Sequence, residues 1–401
     1  MRRRAFLGIG AAAITLGGGA FAVANAAMEP EVTAVRGGID FDRPQVMATG
    51  LEVPWGLGFL PDGSALVAER VRGTVSRIRS GEAPERVTTI AGVVSGGEAG
   101  LLGLAISPTY ATDGLVYVCF TTGADIRIAR FTLAAPASQQ VIFKGAARAS
   151  THDGGRIKFG PDGMLYATIG DANVPARAQD PSSLNGKILR MKADGSVPAG
   201  NPFDGSLVYS MGHRNPQGLA WDSRGDLYAA EFGQNTWDEV NVIKPGENYG
   251  WPTVEGRSTD TRFRNPLVVW ETWEASPSGA AFANGTLFVA ALRGARLWTV
   301  PVAEDGTAGT PVAELVNSYG RLRTVEVAPD GSLWVATSNR DGRATPRAGD
   351  DRLVRFPASK VAASPTSDAT SGPDATSGPT PAPDRSASVA PTSSVEPTAP
   401  E

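Results

Sequence analysis

Cysteine is almost missing from this 401-residue chain. Cys119 stands alone, so neither an intramolecular disulfide nor a cysteine-based zinc site can form. Histidine is nearly as scarce: His152 and His213 are the only two, which excludes histidine-rich metal centres. The 37 Lys and Arg do not outnumber the 41 Asp and Glu, so no basic excess points to a nucleic-acid partner. No strand-to-helix G-x-G-x-x-G with a following acidic residue occurs, which argues against a dinucleotide-binding fold. What the chain has in quantity is Gly (48) and Pro (30), as suits many short strands joined by turns.

The two ends differ from the middle. Residues 1–27 open with Arg2, Arg3 and Arg4, continue through an uncharged Ala/Gly-rich run and reach Ala24-Asn25-Ala26, an A-x-A cleavage signal. Arg3-Arg4-Ala5-Phe6-Leu7 resembles the twin-arginine export motif. The run is long enough to span a bilayer, but its glycines make it only mildly apolar. Cleavage is therefore expected rather than stable membrane insertion. No cysteine lies near the cleavage site, so lipidation there is excluded. From Pro357 to Glu401 the chain is mostly Pro, Ser, Thr and Ala, and Asp-Ala-Thr-Ser-Gly-Pro occurs twice, at Asp368 and Asp374. Such a segment cannot bury enough apolar surface to offset its ordering entropy, and a disordered tail is expected over 357–401. Residues 28–356 remain as the folded domain.

Within that domain one short pattern recurs: an apolar residue, a turn ending in Gly, then alternating apolar residues. Examples are FLPDGSALVAER, FGPDGMLYATIGD and VAPDGSLWVATSN. The turn glycines are Gly63, Gly114, Gly163, Gly225, Gly285 and Gly331. Asp-Gly and Asn-Gly favour the tight turns that join antiparallel strands. The period-2 runs that follow, such as LYATIG and LWVATS, read as half-buried strands. Six hairpin units at blade-like spacing predict an all-β, six-bladed β-propeller, with a β-sandwich as the alternative. The longer third and fourth units predict inserted loops on one face, and Cys119 reads as a packing residue.

Function in a propeller lies in the loops at the channel mouth. Both histidines occupy glycine-dense loop segments: His152 in THDGGR and His213 in GHRNPQG, each about a dozen residues before its unit's turn glycine. Equivalent positions in neighbouring blades would bring both to the same end of the channel. A lone loop histidine is more often structural, and the repeated position makes the functional reading about as strong. Asp238 and Glu239, which precede an apolar run, are tempting as metal ligands but read more simply as structural.

GEAGLLGLAISP, THDGGRIKFGPDGMLYATIGD, LNGKILRMKADGSVPAGNPF, GHRNPQGLAWD and DEVNVIKPGENYGWP occur in that order. In order and spacing they resemble the soluble PQQ-dependent aldose sugar dehydrogenases of the glucose/sorbosone dehydrogenase family, over roughly residues 45 to 356. The resemblance implies oxidation of an aldose at C1, with a hydride passing to PQQ and a base removing the hydroxyl proton. His152 matches the family's base, a task suited to an imidazole. Arg214 matches the arginine that stabilises developing negative charge. Asn215, the strand pair Arg321 and Arg323, and Arg293 match cofactor-contacting positions, and Glu98 falls in the same pocket. Spacing i, i+2 turns Arg321 and Arg323 to one face, and guanidinium forks suit the three carboxylates of PQQ. Calcium is implied against the quinone, held mainly by backbone carbonyls of Gly233 and Gln234.

Several positions depart from the family pattern. Phe232 replaces a polar residue, Gln234 a proline, and Glu98 a glutamine; Thr151 precedes the histidine in place of Asp or Asn; and Arg293 stands near the place of a lysine. The partners implied are an aldose and an external electron acceptor, with the protein exported to the periplasm, cell envelope or medium. The sequence carries no marker of oligomeric state. Two other readings stay open on the residues alone. One is a non-catalytic exported propeller that binds carbohydrate or protein at the channel mouth. The other is a calcium-dependent lactonase, which needs a Glu, Asn and Asp cluster that these motifs do not supply.

Overall fold

Six antiparallel sheets of four strands each are present among the described residues, 36–359 of the computed structural model. The leader expected over 1–27 and the tail from residue 360 onward lie outside the described residues. Blade 1 is β2 (Pro54–Phe59), β3 (Ala65–Glu69), β4 (Thr74–Ile78) and β5 (Glu85–Thr89). Blade 2 is β6 (Leu101–Ile106), β7 (Leu115–Thr121), β8 (Asp125–Thr132) and β9 (Ala135–Ala147). Blade 3 is β10 (Ile157–Phe159), β11 (Leu165–Ile169), β12 (Lys187–Met191) and β13 (Val208–Met211). Blade 4 is β14 (Pro216–Trp221), β15 (Leu227–Glu231), β16 (Trp237–Ile243) and β17 (Val268–Glu271). Blade 5 is β18 (Pro277–Ala283), β19 (Thr286–Ala291), β20 (Arg296–Pro301) and β21 (Val312–Glu314). Blade 6 takes β22 (Leu322–Val327), β23 (Leu333–Thr337) and β24 (Leu353–Phe356) from the end of the domain and β1 (Gln45–Ala48) from its start.

This is the expected six-bladed propeller, and a two-sheet sandwich is excluded. Each predicted turn glycine joins the first and second strands of its blade, and all six have positive φ, from +63° at Gly114 to +86° at Gly225. The ring closes by pairing β1 with β24, Gln45 opposite Arg355 and Val46 opposite Val354. Closure continues past β24: Pro357, Ala358 and Ser359 make backbone contacts with Asp40, Ile39 and Gly38. Residues 357–359 thus pack against the start of the described domain.

One feature of the strands differs from expectation. The second strands are not half-buried: every residue of β11 and of β23 is buried. Blades stack face to face, so a middle strand has a neighbour on both sides, and both sets of alternating side chains leave water. Six apolar clusters follow, one at each blade interface; Tyr117, Ile128, Leu165 and Met191 share one, and Ala280, Leu287, Val240 and Trp270 another. Cys119 belongs to the first, and burial raises its thiol pKa, which makes it the packing residue expected.

Around the channel the innermost strands approach so closely that side chains are excluded. A Cβ on Gly218 of β14 would lie 2.4 Å from the Ser278 carbonyl oxygen, and one on Gly279 of β18 would lie 2.8 Å from Thr324 Cα. Arg156 then fills part of the channel itself. Its guanidinium donates to the carbonyls of Gln217 (2.8 Å) and Trp55 (3.1 Å) and to Thr324 Oγ1 (3.2 Å), and stacks 4.0 Å from the Trp55 ring centroid. One side chain thereby ties together blades 1, 3, 4 and 6.

Because strands alternate in direction, the six glycine turns share one end of the ring. The connections between blades, and the loops between second and third strands, share the other. All nine residues expected at the site, from Glu98 to Arg323, belong to that second end. The insertion of unit three there is the segment 170–186, with a 3-10 turn over Pro175–Gln179. The insertion of unit four, 244–267, leaves β16 at the opposite end but climbs back, and Asn248 bridges Met211. The two insertions therefore start from different ends, yet both reach the same mouth.

Candidate active site

His152 lies in the loop between β9 and β10 with φ +62°, a left-handed conformation that a non-glycine residue adopts only when its surroundings enforce it. Two contacts do so. Its backbone N–H donates to Glu98 Oε2 at 2.9 Å, and its carbonyl accepts the Ala172 N–H at 3.2 Å. Gly170 leaves room for this, since a Cβ there would stand 2.1 Å from the His152 carbonyl oxygen.

The imidazole is fixed through Nδ1, 2.8 Å from Asp171 Oδ1. Asp171 is fully buried and also accepts the Asn173 N–H and the Trp251 indole N–H, each at 2.8 Å. A carboxylate committed to accepting assigns the proton to Nδ1, and Nε2 is left with its lone pair. Nε2 makes no hydrogen bond among the described residues, and the side chain remains 14% exposed. The arrangement is an oriented imidazole with one nitrogen open to a ligand.

The second histidine is different. His213 is fully buried and both ring nitrogens are taken, by Ser210 Oγ and by Glu231 Oε2, each at 2.8 Å. Its ring stacks on Tyr249 with centroids 4.8 Å apart. The equivalence of the two histidines in the repeat does not extend to their roles, and His213 is a structural residue. Glu231 also accepts the Arg214 backbone N–H, so one carboxylate fixes both residues at the entry to blade 4.

Arg214 projects toward the mouth. Its Nε and Nη2 donate to Gln234 Oε1 at 2.8 and 2.6 Å, its Nη1 donates to the Phe232 carbonyl at 3.2 Å, and its Cζ lies 5.5 Å from the Trp251 ring centroid. Burial pulls this guanidinium below its ordinary pKa, opposed by the nearby charges of Asp171 and Glu231. Asn215 is fully buried, accepting the Gly154 N–H at 3.0 Å and donating to Glu98 Oε2 at 3.3 Å. Glu98 thus holds the His152 backbone and Asn215 with one oxygen and meets Arg343 Nη1 at 3.2 Å with the other.

Arg321 and Arg323 do converge, and their meeting point is Asp341, at 2.9 and 3.3 Å. Arg323 is 97% buried, also donates to Ser338 Oγ and Gln217 Oε1, and has its pKa pulled down to about 9 by burial and by the charge of Arg70. Arg70 is equally buried, and its Nε has no partner. Four guanidinium groups (Arg70, Arg321, Arg323 and Arg343) therefore face two carboxylates, Asp341 and Glu98. The surplus of positive charge, only partly offset by Asp153, whose pKa burial raises to about 7, and the orphaned Arg70 Nε fit a polyanionic ligand such as a tricarboxylate. Arg293 is at the same end, on the loop from β19 to β20, but is exposed and makes no ion pair or hydrogen bond among the described residues.

The loop of Gly233 and Gln234 is anchored through its amides. Glu255 Oε1 accepts the N–H groups of Gln234, Asn235, Thr236 and Trp237 at 2.6 to 3.2 Å, and Asp238 accepts those of Gly233 and Ser276. The carbonyls of Gly233 and Gln234 accept no hydrogen bond among the described residues and suit a hard cation. Asp238 and Glu239 are structural as read: Glu239 accepts from Gly256 N–H and Asn241. No group of three His, Cys, Asp or Glu side chains poised to hold a metal occurs among the described residues.

Sequence reasoning passed over Asp171, Trp251, Glu255, Asp341, Arg70 and Arg343. Asp171 was within reach: counting outward from Gly163 along the paired β10 and β11 places residue 171 opposite the His152 loop. The others come from distant loops and carry no such signal.

The glucose/sorbosone dehydrogenase family model matches residues 51–347 of this chain. The structure of the PQQ-bound aldose sugar dehydrogenase of Streptomyces coelicolor superposes with a TM-score of 0.76 at 47% identity, covering 79% of this chain and 98% of that one. An oxidoreductase of Thermus thermophilus, described as a glucose dehydrogenase, gives a TM-score of 0.74 at 43% identity, covering 78% and 99%. Aldose sugar dehydrogenase YliI of Escherichia coli K12 is 29% identical over 74% of this chain and 90% of its own length. With the propeller, the loop motifs and the family match in agreement, the chain belongs to the glucose/sorbosone dehydrogenase family.

Proposed function

We propose that this protein is an exported, PQQ- and calcium-dependent dehydrogenase that oxidises aldoses at C1. The observation that carries the proposal is the His152–Asp171 pair, its free Nε2 at the mouth that also holds the cation-rich cluster of Arg70, Arg321, Arg323 and Arg343.

The roles follow from the contacts. Bound PQQ would supply a quinone able to accept a hydride. Its carboxylates would be held by Arg321 and Arg323, with Asn215 and Arg293 as further candidates, while Glu98, itself an acceptor, would line the pocket and hold Asn215 and the His152 backbone in place. Calcium would be held by the carbonyls of Gly233 and Gln234. His152 Nε2 takes the proton of the C1 hydroxyl, and Asp171 steadies the resulting imidazolium through Nδ1–H. Arg214 uses three of its five N–H donors on neutral acceptors and keeps the rest for negative charge growing on the sugar oxygen. The C1–H leaves with its electron pair and the O–H leaves as a proton, which gives the lactone. The two electrons would pass on to an external acceptor.

The leader motif supports export by the twin-arginine route. No helix of the described residues is long and apolar enough to cross a membrane.

The test is spectroscopic. Cofactor-free protein is given PQQ with excess calcium, then a panel of aldoses, while the quinone absorbance is followed. Uptake followed by sugar-dependent bleaching is the expected result. Folded protein that takes up no PQQ would overturn the proposal in favour of a sugar- or protein-binding propeller.

A further inference from the structure

Gln234 has a second feature beyond its backbone carbonyl. The residue is exposed, yet its side-chain oxygen is the hinge point of Arg214, accepting both Nε–H and Nη2–H. Phe232 O takes a third donor from the other side. An exposed glutamine would ordinarily sample many rotamers and hold nothing firmly. Here the backbone beneath it is fixed, because Glu255 gathers the four consecutive amides of residues 234–237 on one oxygen.

The chemistry of the acceptor matters as much as its place. Arg214 has no carboxylate partner within ion-pair distance among the described residues; its acceptors are an amide and a peptide carbonyl. A carboxylate in the same place would orient the guanidinium equally well but would cancel its charge. An amide oxygen orients it and leaves the charge whole.

We propose that the Gln234 side chain is a positioning residue, which aims the Arg214 guanidinium at the substrate oxygen while keeping its full positive charge, on a loop pinned by Glu255. The proposal rests on the dehydrogenase reading and gives that reading a substrate-side detail: the sugar oxygen that becomes negative is met by an oriented, unneutralised cation.

The first experiment uses the cofactor-free protein and does not depend on activity. An arginine Nε–H held by an acceptor exchanges slowly with water, so the Arg214 Nε–H resonance is expected to persist in wild type and to broaden or vanish in Gln234→Ala. The second compares PQQ-loaded variants. Gln234→Ala is expected to lower kcat by about 10- to 100-fold, the scale of a misaligned catalytic group, with KM and melting temperature little changed. Gln234→Met keeps the length of the side chain and removes the oxygen acceptor, so its kcat should fall as in Gln234→Ala. An unchanged Nε–H resonance in Gln234→Ala, or wild-type kcat in Gln234→Met, would overturn the positioning role. Wild-type protein without PQQ-dependent sugar oxidation would instead remove the dehydrogenase reading, with the resonance test still deciding whether Gln234 holds Arg214.

Discussion

A histidine that accepts a proton needs one nitrogen committed and the other free, and at this mouth the commitment is made by a buried aspartate with two other donors in place. Replacing His152 by Ala should lower sugar oxidation by about 10²- to 10⁴-fold while leaving PQQ uptake, read from the quinone spectrum, nearly intact. Asp171→Asn keeps the shape and loses the charge, and should cost about 10- to 100-fold. Glu98 and Arg343 form one ion pair but are not equivalent. Arg343 is half exposed, so Arg343→Ala should change stability by less than about 1 kcal/mol. Glu98→Ala strands the His152 amide and Asn215, and should cost about 1–3 kcal/mol in denaturant unfolding. The candidate residues that the sequence pointed to were those inside contiguous motifs, such as His152, Arg214 and the Arg321–Arg323 pair, and the fold brings them to one end of the ring. Asp341, which draws that pair together, lies in a different loop, and only the closed ring brings it near.

Elements carry their own constraints. The inner strands touch through backbone, and Gly279→Ala would press a methyl to 2.8 Å from Thr324 Cα. Overpacking of that kind should cost about 1–3 kcal/mol, measurable as a lower denaturation midpoint with an unchanged slope. Between β15 and β16, Glu231 and Glu239 are direct cross-strand partners. Burial first, and the facing charge of Glu231 second, raise the pKa of Glu239 above the carboxylate range; burial likewise pushes Asp153 up to about 7. A carboxyl whose pKa is raised by folding holds its proton more tightly in the native state. Its contribution is greatest at acid pH and is lost as pH climbs from the ordinary carboxylate range toward the raised value. Melting temperature should therefore fall from about pH 5 to pH 8, and Glu239→Gln or Asp153→Asn should flatten that fall. The turns were readable because glycine at positive φ is a local requirement. The double burial of β11 and β23 was not, since alternation looks the same whether the second face meets water or another blade.

For the molecule as a whole, stability depends on links that skip around the ring. Arg156 reaches blades 1, 4 and 6 from its place at blade 3, and Arg156→Ala should cost at least about 2 kcal/mol by stranding their acceptors in the channel. Removing residues 36–48 would take away β1 and uncover the edge of β24. Self-association on size exclusion and a lower melting temperature are the expected results. The blade number followed from six spaced turns, whereas neither the closing partner nor the plug left a local mark in the sequence.

The pairing of β1 with β24 also sets a timetable. Gln45 is among the first residues of the domain to leave the ribosome, and the Arg355 side chain that bonds it follows 310 positions later. At ordinary rates of translation that is a wait of about 15 to 60 seconds. Until β24 is made, β1 lacks the strand it pairs with in the closed ring, and a message truncated before Leu353 could never shut it. Completion of the ring thus reports that the entire domain has been made, and a mouth whose residues come from blades on both sides of the seam assembles only once that report is in.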